Sequence, residues 1–239
     1  MNLFVGTSGY SYKEWKGNFY PEDLSAKDML SYYSRRLPAV EINNTFYRLP
    51  QPSMVENWKD QVPDSFRFSI KATQRITHIK RLKNCGEETK YLMDTAALLG
   101  ERLGVVLFQL PPNSKKDGER LREFLECLPA NTRTAFEFRH ESWLDDETCD
   151  LLRGKNSALV VSDTDEKPLT SITATADWGY LRLRRTSYSN DDLKMWKQRV
   201  REQKWKDAFV FFKHEDEGVG PKLAAQFLSL SEPPAVAGG

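Results

Sequence analysis

The sequence predicts one (β/α)8 TIM barrel, an α/β fold in which a closed parallel ring of strands is wrapped by helices. Eight short apolar runs alternate with segments of helical period along the 239 residues. No linker-like change of composition interrupts them, and a barrel of this kind takes about 250 residues. The rival α/β architecture, a doubly wound open sheet, loses support because neither G-x-G-x-x-G nor G-x-x-x-x-G-K-S/T occurs.

Leu3, Phe4 and Val5 form strand one, which breaks into a turn where Gly6 and Gly9 bracket Thr7 and Ser8. Tyr10, Tyr12, Trp15, Phe19 and Tyr20 follow closely, and so many large rings need a surface to cover. Ser25 and Asp28 have capping-box spacing, and Leu30, Tyr33 and Leu37 share one face of a helix that Pro38 stops. Residues 39–43 make strand two. Pro52 starts a helix carrying Val55, Trp58 and Val62 on one side, and Pro63 ends it. Strand three spans residues 66–71, and a basic loop then runs to Gly86 with Arg75, His78, Lys80, Arg81 and Lys83. Leu92, Ala96 and Leu99 mark the third helix, ending near Gly100 or Gly104, before strand four at 105–109. Leu121, Phe124, Leu125 and Leu128 form the next stripe, followed by strand five at 134–138 and a short helix around 145–153. Strand six is 158–162. The crossover 163–177 contains Pro168 and many threonines, so its helix is short or missing. Strand seven at 180–184, a helix with Leu193, Trp196 and Val200, strand eight at 208–212 and a helix with Leu223, Phe227 and Leu230 complete a domain over 1–230. Residues 231–239 read as a flexible tail.

Lys plus Arg total 35 against 34 Asp plus Glu, so no global field draws the chain to nucleic acid or membrane. Any electrostatic preference is local. Cys85, Cys127 and Cys149 have no close pairing and read as small hydrophobes on helices. With no N-terminal signal and no long apolar span, the expectation is a reduced, cytoplasmic protein without membrane partners.

Side chains two apart along a strand share a face, so the apolar residues of each strand reveal where the others point. Val40 and Ile42 turn Glu41 and Asn43 inward; Phe136 and Phe138 do the same for Glu137 and Arg139; Leu181 and Leu183 for Arg182 and Arg184. Lys71, Gln109 and Lys213 end their strands on the same side. Lys71, Arg139, Arg182, Arg184 and Lys213 outnumber Glu41 and Glu137 by five to two, a surplus of three that Asp163 would reduce to two. Two explanations compete. A structural ion-pair network could fill the barrel, or a site at the C-terminal strand ends could recognise a phosphate or carboxylate, which Arg holds through two parallel bonds.

Glu41 and Glu137 lie nearly opposite in the ring and suit general acid and base roles; the structural alternative is that each neutralises a neighbouring cation. His78, His140 and His214 follow three different strand ends, yet no H-x-H, H-E-x-x-H or C-x-x-C spacing supports a metal, and none is expected. Thr7-Ser8-Gly9 is no nucleophile elbow, and its hydroxyls and backbone suit an anion instead. Trp15, Phe46, Tyr47, Trp143 and Tyr188 sit in loops on one rim and could form a stacking wall.

At these residues the sequence resembles the YecE-like proteins, domain of unknown function 72. The matching segments are GTSGYSYKEWKGNFYP at 6–21, VEINNTFYRLP at 40–50, KATQRITH at 71–78, LGVVLFQLPP at 103–112 and FEFRHESW at 136–143. The resemblance implies a TIM barrel of the broad xylose isomerase and endonuclease IV type, and it names no substrate. Leu183-Arg184-Arg185 and Phe212-Lys213-His214-Glu215 depart from the Arg-Leu-His-Gly and Phe-Asn-Asn common among relatives, so roles at those positions are not carried over, nor is zinc chemistry.

The expectation is therefore a barrel mouth that takes a small anionic or sugar-phosphate-like ligand without a cofactor. Arg139 and Arg182 form its centre, with Lys71 as third cation and Thr7 and Ser8 as shorter donors. Trp15, Asn43, Tyr47, Gln109, Trp143, Arg184 and Lys213 complete the ligand set. The alternative is a non-catalytic protein that holds nucleic-acid phosphates on the same rim with Arg75, Lys80, Arg81 and Lys83.

Overall fold

Each apolar run is followed by a crossover long enough to return the chain to the same end, so the runs pair in parallel. The computed structural model describes residues 1–166, 171–214 and 216–230. Its strands are β1 Asn2–Ser8, β2 Ala39–Ile42, β3 Arg67–Lys71, β4 Leu103–Gln109, β5 Thr134–Glu137, β6 Ala158–Leu159, β7 Val161–Asp163, β8 Trp178–Leu183 and β9 Asp207–Phe212. Their order in the sheet is β6-β5-β4-β3-β2-β1-β9-β8-β7. The first and last strands lie side by side, from Asn2 against Asp207 to Thr7 against Phe212.

The two ends of that order, β6 and β7, are separated in the chain by Val160 alone, so the sheet nearly closes into a parallel barrel of nine strand segments. The run 158–162, expected as one strand, is thus in two pieces. Its physical reason is Thr175, whose hydroxyl accepts from Leu159 N–H at 2.8 Å and donates to Ser157 C=O at 2.7 Å. One side chain satisfies the backbone there, and β6 bonds only to β5 while β7 bonds only to β8.

The helices are α1 Met29–Ser34, α2 Pro52–Asp60, α3 Gly86–Ala97, α4 Gly118–Glu126, α5 Asp146–Gly154, α6 Asn190–Arg201 and α7 Val219–Ser229. Asp117 and Asp145 cap α4 and α5, and Ser189 with Asp192 makes a capping box for α6. Ser25 and Asp28 do not cap: the Ser25 hydroxyl donates to Asp28 Oδ2 at 2.6 Å, and a single turn at Ala26–Asp28 leads into α1. No helix occurs between β7 and β8 among the described residues, and the expected tail at 231–239 lies outside them.

Two apolar layers follow from the period-two alternation. Val40, Phe136, Leu181 and Leu183 pack outward with helix residues such as Leu121, Phe124 and Trp196. Ala39, Leu107, Ala135, Tyr180 and Phe211 fill the interior, above a floor where Phe4 stacks on Phe209 at 4.9 Å and Trp178 meets that ring edge-on. The interior is packed rather than open. Gly6 is needed where β1 meets β2, because a Cβ there would stand 1.8 Å from the Ala39 carbonyl oxygen. Among the described residues no helix is long and apolar enough to cross a membrane.

Candidate functional site

Above the aromatic floor the inward positions turn polar. Glu41 on β2 is fully buried and accepts from Ser8 Oγ at 2.7 Å, Tyr180 Oη at 2.7 Å and Arg182 Nη2 at 2.8 Å. Glu137 on β5 accepts from Gln109 Nε2 at 2.7 Å and Arg182 Nη1 at 2.6 Å through one oxygen. Its other oxygen faces Arg184 Nη2 at 3.1 Å and Arg139 Nε at 3.5 Å. Arg182 therefore spans the barrel, one nitrogen on each glutamate, and is 2% exposed. Because the Tyr180 proton goes to Glu41, the Ser69 hydroxyl donates to Tyr180 Oη at 2.6 Å.

This wiring sets the charges. Burial alone would raise the Glu41 carboxyl, but Arg182, Tyr180, Ser8 and Lys71 outweigh it and hold it below the usual range. Glu137 is likewise pushed up by burial and pulled far lower by Arg182, Arg184 and Arg139. Both stay ionised at neutral pH with every oxygen engaged. Each carboxylate fixes a guanidinium, the neutralising role weighed from sequence beside acid and base work.

Around the rim stand groups not consumed in this way. Lys71, at the end of β3, is half-buried with Nζ 4.4 Å from the Phe46 ring centroid, and its ammonium pKa is lowered to about 8 by burial and by Arg182. Arg139 keeps 39% of its side chain exposed and Arg184 16%. Burial, then Arg182 and Arg139, lower the Arg184 pKa, and Arg184 also donates to Ser162 Oγ at 2.6 Å. His78 meets the same Phe46 ring edge-on at 4.9 Å, and burial with Lys71, Arg139 and Arg81 lowers its pKa, so it is neutral at pH 7.

The structure thus assembles Ser8, Glu41, Lys71, Gln109, Glu137, Arg139, Arg182 and Arg184, and it relocates other expected residues. Arg182 lies beneath the rim rather than at a ligand's centre. Thr7 has the opposite parity to Ser8 and bonds Tyr33 of α1 at 2.8 Å. Trp15 is fully buried beside Tyr12 and Tyr20, and Trp143 is buried on Phe138 with its indole N–H on Ser114 C=O. Tyr188 is buried too, so the stacking wall reduces to Phe46 and Tyr47, the latter 76% exposed. Asn43 is half-buried with Oδ1 unpartnered, and Lys213 is exposed beyond β9. Asp163 leaves the charge balance, since it faces the helices and accepts from Tyr188 Oη and Trp196 Nε1.

The three histidines stay apart in their bonding: His78 on Thr77, His140 on Ser142 and His214 on the Arg185 carbonyl. Among the described residues no three His, Cys, Asp or Glu groups come together as a metal site. In the basic loop, Arg75 and Lys80 both pair with Glu88 at 2.7 Å, so two of its cations share one carboxylate. A depression lined by Ser31, Arg35, Asn57 and Gln61 lies between α1 and α2 on the helical exterior. Tyr180 and Ser69 were missed from sequence, although each shares the parity of an inward neighbour, Arg182 and Lys71.

Known proteins resemble this chain, two of them over nearly its whole length. The structure of a DUF72 family protein from Thermotoga maritima superposes with a TM-score of 0.83 at 30% identity, covering 95% of this chain and 98% of that one. The UPF0759 protein YunF of Bacillus subtilis is 24% identical over 95% of this chain and 94% of its own length. The UPF0759 protein YecE of Escherichia coli K12 is 33% identical over 58% of this chain and 48% of its own. The model of the family described as "Protein of unknown function DUF72" matches residues 4–236, and the chain belongs to that family.

Proposed function

We propose that residues 1–230 form one TIM barrel in which 158–163 act as a single interrupted strand, and that its mouth binds a small anion bearing a phosphate or carboxylate. The observation that carries this reading is the charge imbalance at the strand ends. Lys71, Arg139, Arg182 and Arg184 face Glu41 and Glu137, and four minus two leaves a surplus of two positive charges. A structural network would be expected to neutralise itself. Here Glu41 and Glu137 orient Arg182, while Arg139 and Arg184 share one carboxylate oxygen and keep donors for a ligand. Lys71 adds a further basic group beside them, its proton disfavoured by burial and by Arg182.

Inorganic phosphate or sulfate should raise the melting temperature in a concentration-dependent way. At a hundredfold excess over Kd the rise is about 5–10 °C. Arg139→Ala and Arg184→Ala should remove that rise, whereas Lys90→Ala, on the exposed face of α3, should keep it. Each variant's unliganded melting point is recorded separately, so lost stability is not mistaken for lost binding. No rise in the parent protein, or an equal rise in Arg139→Ala and Arg184→Ala, sinks the proposal.

A further inference from the structure

We propose that the mouth is also a reaction site, in which Lys71 Nζ forms an imine with a small carbonyl compound carrying a carboxylate or phosphate. This rests on the anion reading above, because Arg139 and Arg184 would hold the charged end while Lys71 meets the carbonyl carbon.

Lys71 differs from the lysines that serve as surface charges. Lys80, Lys90, Lys116 and Lys206 each pair with a carboxylate. Lys71 lies instead against the face of Phe46, where Arg182 and Arg139 act on it as well as Glu41 and Glu137, and both of those glutamates are occupied by arginines. An amine among apolar groups and like charges loses its proton more readily, and an unprotonated amine is the nucleophile. Its lowered pKa agrees with that placement, leaving a substantial neutral fraction near pH 8. β3 carries Lys71 at its C-terminal end, where barrel sites are built.

His78 supplies an acceptor for the displaced proton. The Thr77 hydroxyl donates to Thr73 C=O at 3.2 Å, so at 2.9 Å it accepts from His78 Nδ1–H. That tautomer leaves Nε2 with its lone pair, beside the same Phe46 ring that Lys71 covers. In the step, unprotonated Nζ adds to the carbonyl carbon and forms the C–N bond, while the carbonyl π pair moves to oxygen. Nε2, directly or through water, takes one proton from the nitrogen and passes it to that oxygen to give a carbinolamine; the second nitrogen proton follows the same route to the hydroxyl, which leaves as water as C=N forms. Amine plus carbonyl gives imine plus water, with no change of oxidation state.

The test uses the full chain with glyoxylate and sodium cyanoborohydride, which reduces an imine to a stable carboxymethyl-lysine that peptide mapping locates. Lys71 should be labelled at least about tenfold faster than the average surface lysine, because the neutral fraction at a given pH is set by the pKa. Its rate should rise with pH through a midpoint near 8. Lys71→Met, checked for folding by its melting curve, should lose the fast label. Arg139→Ala should slow labelling of Lys71 by glyoxylate well beyond any slowing with uncharged propionaldehyde, since Arg139 also helps to lower the Lys71 pKa. Lys71 labelled no faster than surface lysines, while phosphate still stabilises the fold, overturns the imine and spares the anion site. Fast labelling that is indifferent to Arg139 and to the charge of the aldehyde, with no stabilisation by phosphate, overturns the anion reading and with it this substrate class.

Discussion

Arg182→Met should be among the most damaging single substitutions in the chain, lowering stability by about 3–5 kcal/mol, or the melting temperature by roughly 10 °C. Methionine is long enough to fill much of the space, so the loss is electrical rather than a cavity. Glu41 and Glu137 are 0% and 2% exposed, and without the guanidinium each keeps a buried charge with fewer donors. Adding Glu41→Gln and Glu137→Gln to Arg182→Met should recover a large part of the loss, since removing a buried network whole costs less than removing one partner. Urea denaturation of the single and triple variants measures both. A loss within about 0.5 kcal/mol for Arg182→Met, the range of ordinary surface changes, would show that water solvates this layer.

Acid should weaken the fold through the same two carboxylates. Their folded-state pKa values lie below the ordinary 4.5, so above that value both folded and unfolded chains are ionised and the contribution is complete. As the pH falls below 4.5, the unfolded chain takes up protons first, and stability is lost progressively as the pH descends towards the folded values. Glu137→Gln should be less stable than the parent at pH 7, and the gap should narrow steadily towards pH 3. A constant gap across that range would mean that Glu137 is not held ionised.

Lys71 has the opposite relation to pH. Its folded pKa of about 8 lies below the unfolded 10.5, so the folded state holds fewer protons between those values. Stability from this group is present above 10.5 and is lost as the pH falls through 8. Lys71→Met should therefore gain stability relative to the parent as the pH is lowered across that window. Paired unfolding curves at pH 7 and pH 10 test the sign.

How much of this was readable in the sequence depends on the range of the forces involved. Alternation along one strand is a local property, and it placed Glu41, Glu137, Arg182 and Arg184 inward and Phe136 and Leu181 under helices without any knowledge of partners. The element order and the parallel pairing follow from runs and crossovers of readable length. Pairing inside the barrel is not local. Glu41 and Arg182 are 141 positions apart, and only the ring of strands brings one to the other. That arrangement decided that Arg182 lies beneath the mouth, that the glutamates bind arginines, and that Lys71 lies against Phe46 near both charge signs.

The loops were the least legible part. Trp15 and Trp143 follow strands on the rim, and their chemistry suits either a ligand or a neighbouring loop. Which they meet depends on how chain segments fold over the barrel, and they meet Tyr20, Phe138 and a backbone carbonyl. Thr7 shows the limit on the smallest scale: one residue separates it from Ser8, and strand parity sends one hydroxyl to Tyr33 and the other to Glu41. By itself the sequence determined the alternating elements and the inward charges, because hydrophobic period is written residue by residue. Only the tertiary structure decided which charges neutralise each other and which remain, because that balance is a sum over strands that meet only when the sheet curls round.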